Sequence, residues 1–145
     1  HEFDGIGALS AGASSRLLVD YPAKEREEIL DLLFKPKFGA SVQVLKLEIG
    51  GDTLSGDGTE AAFEHQRGEL RCEGTYETWL LRSALARNPR LRTVALSWGV
   101  PGWVGNGTFF SEENVGYHAR WLQCVKQLTG HTMGWMGVWN EKQWG

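Results

Sequence analysis

Four short, mostly apolar segments alternate with longer amphipathic segments along the chain. The apolar segments cover residues 3–9, 42–49, 91–98 and 133–140. The second is the clearest, because an apolar, β-branched run that ends at Gly50-Gly51 is typical of a parallel strand buried on both faces. The pattern therefore predicts four strands.

The longer segments carry apolar residues at helical spacing beside charged ones. The first covers about residues 23–34 and is ended by Pro36. The second covers about residues 76–85 and is stopped by Asn88-Pro89, which fixes the backbone in an extended form. The third covers about residues 112–128. The pattern therefore predicts three long helices.

The predicted order β-α-β-α-β-α-β implies right-handed crossovers and a parallel sheet, which both doubly wound and barrel folds satisfy. A polar or aromatic cluster ends each strand, as expected of loops around one shared mouth. These clusters are Ser10, Asp52, Ser97-Trp98 and Asn140-Glu141. We therefore predict one partial α/β domain, residues 1–145, forming strands one to four of a (β/α)8 TIM barrel, with the remaining strands outside this chain.

Composition argues against two classes of partner. The 145 residues carry a net charge of -3 with both signs interspersed, so there is no basic stripe for nucleic acid. No run approaches the roughly 18 apolar residues that a transmembrane segment needs. Seven tryptophans favour carbohydrate, because their faces suit the apolar faces of sugar rings. The first residues lack the features of a signal peptide, so we expect any targeting segment upstream.

Cysteine and histidine positions indicate no redox motif and no metal site. Cys72 and Cys124 match no C-x-x-C spacing, and free thiols, one bridge or bridges to residues outside this sequence all stay open. His65, His118 and His131 lack the spacing of ligands on one helix face. We therefore predict no metal.

Two short glycine-containing motifs carry weak signals. Gly5-Ile6-Gly7 is similar to a dinucleotide fingerprint, but Ser10 occupies the third glycine position, so we interpret it as a close backbone approach at the barrel mouth. Asn106-Gly107-Thr108 is a formal glycosylation acceptor, a tripeptide that also arises by chance.

Trp98 and Trp103 flank a Gly/Pro turn directly after the third strand. This arrangement predicts two rigid aromatic plates at the mouth. The alternative is that both are core tryptophans at a tight turn.

Asn140-Glu141, at the end of the fourth strand, is the strongest candidate for chemistry. A carboxylate at the C-terminal end of a barrel strand indicates catalysis. Trp139 adds apolar surroundings of the kind that favour a protonated acid, and Asn140 suits a sugar 2-hydroxyl. The alternative is an ordinary surface glutamate.

Taken together, these motifs resemble the galactocerebrosidase (galactosylceramidase) family of retaining glycoside hydrolases. The resemblance spans nearly the whole chain, and the set is more specific than any one motif. The matching segments include Phe3-Asp4-Gly5-Ile6-Gly7-Ala8, Leu33-Phe34-Lys35-Pro36, Glu48-Ile49-Gly50-Gly51-Asp52, Asp57-Gly58-Thr59-Glu60, Trp98-Gly99-Val100-Pro101-Gly102-Trp103 and Trp139-Asn140-Glu141.

The resemblance implies that Glu141 is the acid/base, that Asn140 and Trp98 bind the sugar, and that no cofactor is needed. Gly56, with Ser55 beside it, matches a position where human-like members carry a threonine hydroxyl near the sugar, so both are predicted to bind substrate. The nucleophile would lie on the seventh strand, outside this chain. Because retaining catalysis needs two carboxyls about 5–5.5 Å apart, we expect the chain alone to be inactive.

The implied substrate is galactosylceramide or a related β-galactoside, with a lipid-presenting activator protein as a partner for the lipid. The implied location is lysosomal or secreted. Two alternatives stay open: another retaining barrel glycosidase, glucosylceramidase-like or endo-acting, and a non-catalytic sugar-binding barrel domain.

Overall fold

The structure, a computed structural model, describes residues 1, 3–54, 58–138 and 140. Its described strands form one sheet in the order β1-β2-β3-β4, and every neighbouring pair is parallel. The strands are β1 (Gly7–Ser10), β2 (Val44–Ile49), β3 (Arg92–Ser97) and β4 (Trp135–Gly137). The helices are α1 (Ser15–Asp20), α2 (Ala23–Phe34), α3 (Tyr76–Arg87) and α4 (Glu112–Thr129), with short 3-10 turns at Cys72–Gly74 and Val104–Gly107.

The strand order distinguishes the two architectures that the sequence left open. In a doubly wound sheet the order reverses at a switch point. Here each described strand pairs with the strand before it, and right-handed crossovers then place the helices on one face of the sheet. The predicted parallel α/β arrangement is confirmed, and it is the arrangement of the first half of a (β/α)8 barrel.

Helices α2, α3 and α4 lie where the amphipathic pattern predicts them. Thr75 caps α3 by accepting a hydrogen bond from the Thr78 amide at 3.2 Å. Ser111 caps α4 by accepting one from the Asn114 amide, also at 3.2 Å. Gly130 ends α4 at φ 69°, a left-handed conformation that favours glycine. Capping interactions therefore determine the ends of these helices, which the hydrophobic pattern locates only approximately.

The core lies between the sheet and these helices. Leu45, Leu47 and Ile49 of β2 are at most 1% exposed. The helical side chains packed in the same core include Leu30 and Phe34 of α2, Leu81 and Ala84 of α3, and Tyr117, Trp121 and Val125 of α4. Lys46, on the opposite face of β2, is only half-buried. Within residues 1–145 the second face of the first residues of β2 is thus only partly buried, and in a complete barrel this face would line the packed interior.

The first strand is shorter than predicted. It begins at Gly7 rather than Phe3, because Gly5 adopts φ 106° and the Ile6 amide donates to the Gln43 side chain at 2.6 Å. Phe3 and Ile6 are consequently exposed. Gly5-Ile6-Gly7 thus lies at the beginning of the strand, at the edge of the sheet opposite the mouth, and the prediction that it lies at the mouth is wrong.

The fourth strand is also shorter than the range 133–140. It ends at Gly137, because its partner β3 ends at Ser97, whose hydroxyl donates to the Gly99 carbonyl at 2.9 Å in the turn that follows. A short helix that the hydrophobic pattern does not predict, α1, begins at Ser15. An ion pair between Arg16 and Asp20, 2.7 Å apart and one helical turn apart, supports it.

Candidate active site

The C-terminal ends of the parallel strands meet at one edge of the sheet, which we call the mouth. Three loops follow the C-terminal ends of the described strands at the mouth. They are the opening loop (residues 11–14) after β1, the β2 loop (residues 50–71) and the β3 loop (residues 98–110). Of the five predicted site residues, Trp98 and Asn140 are described. The other three, Ser55, Gly56 and Glu141, lie outside the described residues.

Trp98 and Asn140 follow neighbouring strands. Trp98 comes directly after β3, and Asn140 lies three residues beyond the end of β4. The two strands pair through Leu96 and Gly137, close to both ends, and both site residues are partly buried. The structure therefore brings these two predicted residues to the same side of the mouth.

Trp98 lines a cavity of about 310 Å³ together with Thr53, Leu54 and Phe109. The ammonium group of Lys46 lies 5.3 Å from the centre of one of the rings of Trp98. A cation in this position is held by cation–π attraction. A sugar can therefore stack on only one face of the indole unless Lys46 moves.

Trp103 packs into the core and does not form a second plate at the mouth. Its Nε1 donates to the Glu64 carbonyl at 3.3 Å, and its ring meets that of Tyr117 edge-on with centroids 6.1 Å apart. The guanidinium of Arg67 lies 5.3 Å from its ring. The alternative interpretation, a core tryptophan at a tight turn, fits Trp103.

The β2 loop is held on both sides of residues 55–57. Leu54 and Thr59 form an antiparallel bridge across this segment. Asp52, at the base of the loop, bonds to Nδ1 of His65 at 2.7 Å. The residues that flank the predicted sugar-binding positions are thus fixed by the loop's own contacts.

Glycines let the loops at the mouth pack backbone against backbone. A Cβ on Gly51 would overlap the carbonyl of Gly99, and a Cβ on Gly58 would lie 2.5 Å from the carbonyl oxygen of Gly12. A side chain at either position would push neighbouring loops apart. The β2 loop is therefore fitted against both the opening loop and the β3 loop.

Two buried glutamates hold the opening loop from below. Glu48, near the end of β2, accepts a hydrogen bond from the Gly12 amide at 2.7 Å. Glu60, in the β2 loop, accepts one from the Ala13 amide at 3.0 Å. Neither glutamate is more than 1% exposed. Each carboxyl thus anchors one amide of the opening loop.

A third glutamate, Glu77 of α3, completes what we call the carboxyl cluster. It accepts hydrogen bonds from the hydroxyls of Ser10 at 2.7 Å and Ser15 at 3.0 Å, and it is 1% exposed. Burial raises the pKa of Glu77 to about 7. Burial, followed by the negative charges of Glu77 and Glu48, raises the pKa of Glu60 to about 8. Both acids therefore retain protons near neutral pH.

Neither a metal site nor a membrane-spanning helix is found in the part of the chain that the structure describes. Within it, no group of three or more His, Cys, Asp or Glu side chains, the carboxyl cluster included, has an arrangement that could hold a metal ion. None of its helices is long and apolar enough to cross a bilayer.

Cys72 and Cys124 form a disulfide, one of the three states that the sequence left open. The bridge joins the 3-10 turn after the β2 loop to α4, with the Cα atoms 5.3 Å apart. Disulfides persist in oxidising compartments. The bridge therefore indicates a chain that matures in such a compartment.

Sequence reasoning missed the carboxyl cluster. One signal was present, because Glu48 is a charged residue near the C-terminal end of an apolar strand, the same criterion that singled out Glu141. Glu60 lies in a polar loop and Glu77 in an amphipathic helix, where a glutamate is ordinarily exposed. Only the three-dimensional packing brings these two beneath the opening loop.

Comparison with known proteins points to one family. The model of glycosyl hydrolase family 59 matches residues 3–145. Galactocerebrosidase of Danio rerio is 47% identical over 146 residues, covering 97% of this chain and 22% of that protein. Galactocerebrosidase of Homo sapiens is 43% identical over 148 residues, covering 99% of this chain and 22% of that protein. The chain thus spans about a fifth of the length of these relatives.

A solved structure of an endo-β1,6-glucanase is similar in fold, with a TM-score of 0.72. The match covers 95% of this chain and 35% of that one at 20% sequence identity. At this identity the likeness shows the fold alone.

Proposed function

The chain belongs to glycosyl hydrolase family 59, and from this premise we propose that the protein containing it is a retaining glycosidase that hydrolyses β-galactosides. The proposal rests on the positions of two residues, Asn140 and Trp98. In a chain 43–47% identical to galactocerebrosidases, Asn140 follows β4 and Trp98 follows the neighbouring β3 at the edge where barrel enzymes carry out chemistry.

We assign Glu141, the residue after Asn140, as the acid/base. It would protonate the glycosidic oxygen and later activate the attacking water. Asn140 would bind the sugar 2-hydroxyl, and the free face of Trp98 would pack against the ring. Ser55 and Gly56 would contact the substrate from the β2 loop, which lies against the opening and β3 loops.

The double displacement requires a second carboxyl about 5–5.5 Å from the first. We propose that it comes from a part of the protein beyond these residues, since the relatives are about five times longer than the match. Residues 1–145 would then be the first half of the barrel. An apolar cavity of about 460 Å³ between α4 and β4, lined by Val115, Leu122, Met136 and Val138, is the surface that the following part of the barrel would cover.

The relatives' name supports a galactolipid substrate such as galactosylceramide. A lipid-presenting activator protein would then deliver the lipid headgroup to the mouth. The disulfide between Cys72 and Cys124 supports a lysosomal or secreted location, because both are reached through an oxidising compartment.

The test compares aryl β-galactoside and β-glucoside hydrolysis by the full-length protein. We expect the galactoside to have the higher kcat/KM. A preference for the glucoside would favour a glucosylceramidase-like enzyme instead. Galactose binding without hydrolysis of either substrate would favour a non-catalytic domain.

Glu141→Gln tests the acid role in the same protein. Loss of a general acid costs about 10²–10⁴-fold in rate on substrates with poor leaving groups, and less on activated aryl glycosides, which need less protonation. Glu28→Gln, an exposed glutamate of α2, is the control and should leave both rates unchanged. An equal loss on both substrate classes would contradict the assignment.

A further inference from the structure

The tripeptide Asn106-Gly107-Thr108 lies in the β3 loop, at the end of the 3-10 turn Val104–Gly107. It is the only Asn-x-Ser/Thr tripeptide among the 145 residues, and all three of its residues are exposed. A Cβ on Gly107 would meet no described atom within 4 Å beyond its chain neighbours. The space beside the tripeptide is therefore open to a bulky group.

Turn geometry by itself accounts for the asparagine. Gly105, Asn106 and Gly107 have φ values of 61°, 49° and 83°, so three consecutive residues adopt the left-handed conformation. Asparagine is one of the few residues other than glycine that adopt this conformation readily. The third residue of the tripeptide is therefore the one that distinguishes a glycosylation acceptor from a simple turn.

The fold does not account for the hydroxyl of Thr108. This residue has an extended conformation, with φ -87° and ψ 106°, which any residue can adopt. Its amide donates to the Gly105 carbonyl at 2.8 Å, a bond that every residue except proline can supply. In the described part of the chain its hydroxyl takes part in no hydrogen bond. A hydroxyl at this position is, however, what an N-glycosylation acceptor requires.

The side-chain amide of Asn106 is likewise not used by the fold, since it has no hydrogen bond within the described residues. Two other asparagines differ in this respect. Nδ2 of Asn88 donates to the Val42 carbonyl at 3.3 Å, and Nδ2 of Asn114 donates to the Phe109 carbonyl at 2.7 Å. Both of these side chains are buried. Substitution on Nδ2 of Asn106 would thus break no described hydrogen bond.

The loop is held by groups outside the tripeptide. The Gly105 amide donates to Oε2 of Glu113 at 2.6 Å, and Val104 is fully buried. The Cys72–Cys124 disulfide indicates maturation in an oxidising compartment. Secreted proteins that carry N-linked glycans on surface loops pass through such a compartment. The conformation of the loop and the compartment of the chain are therefore both compatible with a glycan.

We propose that Asn106 is a modification site and carries an N-linked glycan on the β3 loop. In the transfer step Nδ2 loses a proton and bonds to C1 of the first sugar of a polyprenyl-diphosphate-linked oligosaccharide. The bond between that C1 and the diphosphate oxygen breaks, and the polyprenyl diphosphate leaves. Gly107 lines the same cavity as Trp98, so the glycan is attached beside the mouth. This inference does not rest on the proposed function.

Peptide mass spectrometry of the full-length protein, secreted from mammalian cells, tests the site. Peptide N-glycosidase in heavy-oxygen water converts a glycosylated asparagine to a labelled aspartate. We expect the label at Asn106 in most molecules. Because an asparagine followed by glycine also deamidates spontaneously, a sample incubated without the enzyme is the control and should remain largely unlabelled. A linked peptide pair containing Cys72 and Cys124 verifies passage through an oxidising compartment.

Two variants separate a glycan from a turn. Thr108→Val keeps the branched shape of the side chain without its hydroxyl, so it should lose the enzyme-dependent label. Thr108→Ser is the matched control and should retain it. If Thr108→Val is not secreted, Asn106→Gly, which suits the left-handed turn, should lack one glycan in its intact mass. An unmodified Asn106 in wild-type protein that carries the disulfide, or an enzyme-dependent label that persists in Thr108→Val, would overturn the inference.

Discussion

The two halves of the β2 loop, residues 50–60 and residues 61–71, are held to the rest of the domain by different kinds of contact. In the first half, Glu60 joins the carboxyl cluster, whose described donors are neutral amides and hydroxyls. In the second half, Glu64 accepts a hydrogen bond from Arg120 at 2.8 Å. The two glutamates are four residues apart in sequence and both are at most 1% exposed. The two glutamates therefore differ in their partners and not in their burial.

The second half is fastened further by two groups on α4. Arg67 forms an ion pair with Glu113 and also lies over the ring of Trp103. The disulfide between Cys72 and Cys124 closes this half covalently. We infer that the second half, which is held by ion pairs and a disulfide, is fastened more firmly than the first half, which adjoins the predicted sugar-binding residues.

Removing the disulfide should cause the largest loss of stability among the tests of this difference between the two halves. A double variant, Cys72→Ala with Cys124→Ala, should lower the free energy of unfolding by about 2–4 kcal/mol, because the bridge closes a loop of 52 residues. Denaturant unfolding of the full-length protein measures the loss. Hydrogen exchange should increase around the 3-10 turn Cys72–Gly74, with the opening loop affected less. Equal loosening of both regions would remove the distinction between the two halves.

The pH dependence of stability tests the first half. Each extra proton held by the folded state changes the free energy of unfolding by about 1.4 kcal/mol per pH unit. Because the pKa values of Glu60 and Glu77 are raised, stability should fall by about 2 kcal/mol from about pH 5 to about pH 6. Urea titrations at several pH values measure the slope. A Glu60→Gln variant with the wild-type slope would contradict the assignment of these protons.

The fold could be predicted because its signals are local. The periodicity of α2 and α3 and the apolar runs of β2 and β3 each lie within one segment. The ends of the sheet could not be predicted, since the apolar Phe3 and Ile6 are exposed where Gly5 turns the backbone. The range of β4 depends in the same way on where its partner β3 turns away.

The candidate site was predictable only in part. Trp98 and Asn140 are the last residues of neighbouring predicted strands, so the strand order alone brings them to one side of the mouth. Glu60 and Glu77 are separated by 17 positions and meet beneath a loop contributed by a third segment, and no local pattern records that meeting. The occupation of one face of Trp98 by Lys46 is likewise a contact between distant segments, β2 and the β3 loop.

Breaking the ion pair between Glu64 and Arg120 should lower the free energy of unfolding moderately. Glu64→Gln leaves Arg120 without its charged partner, and because the Arg120 side chain is 34% exposed, water offsets part of the loss. We expect a decrease of about 1–2 kcal/mol in the free energy of unfolding. The difference from the wild type should shrink at high salt, which screens the ion pair. A salt-independent loss would show that packing, and not charge, fastens this half.

The smallest effect is expected from Lys46→Met. Loss of the cation–π contact with Trp98 should change the free energy of unfolding by only about 0.5–1 kcal/mol. Lys35→Met is the matched control, because Lys35 lies 5.4 Å from the ring of Phe38, away from the mouth. Lys46→Met alone should lower KM for a β-galactoside, since it frees a face of Trp98 for the sugar. The free energy of unfolding of Lys46→Met should depend on pH as it does in the wild type. A steeper dependence would show that Lys46 neutralises part of the charge of the carboxyl cluster. The two halves of the β2 loop would then differ only in how far their glutamates lie from a cation.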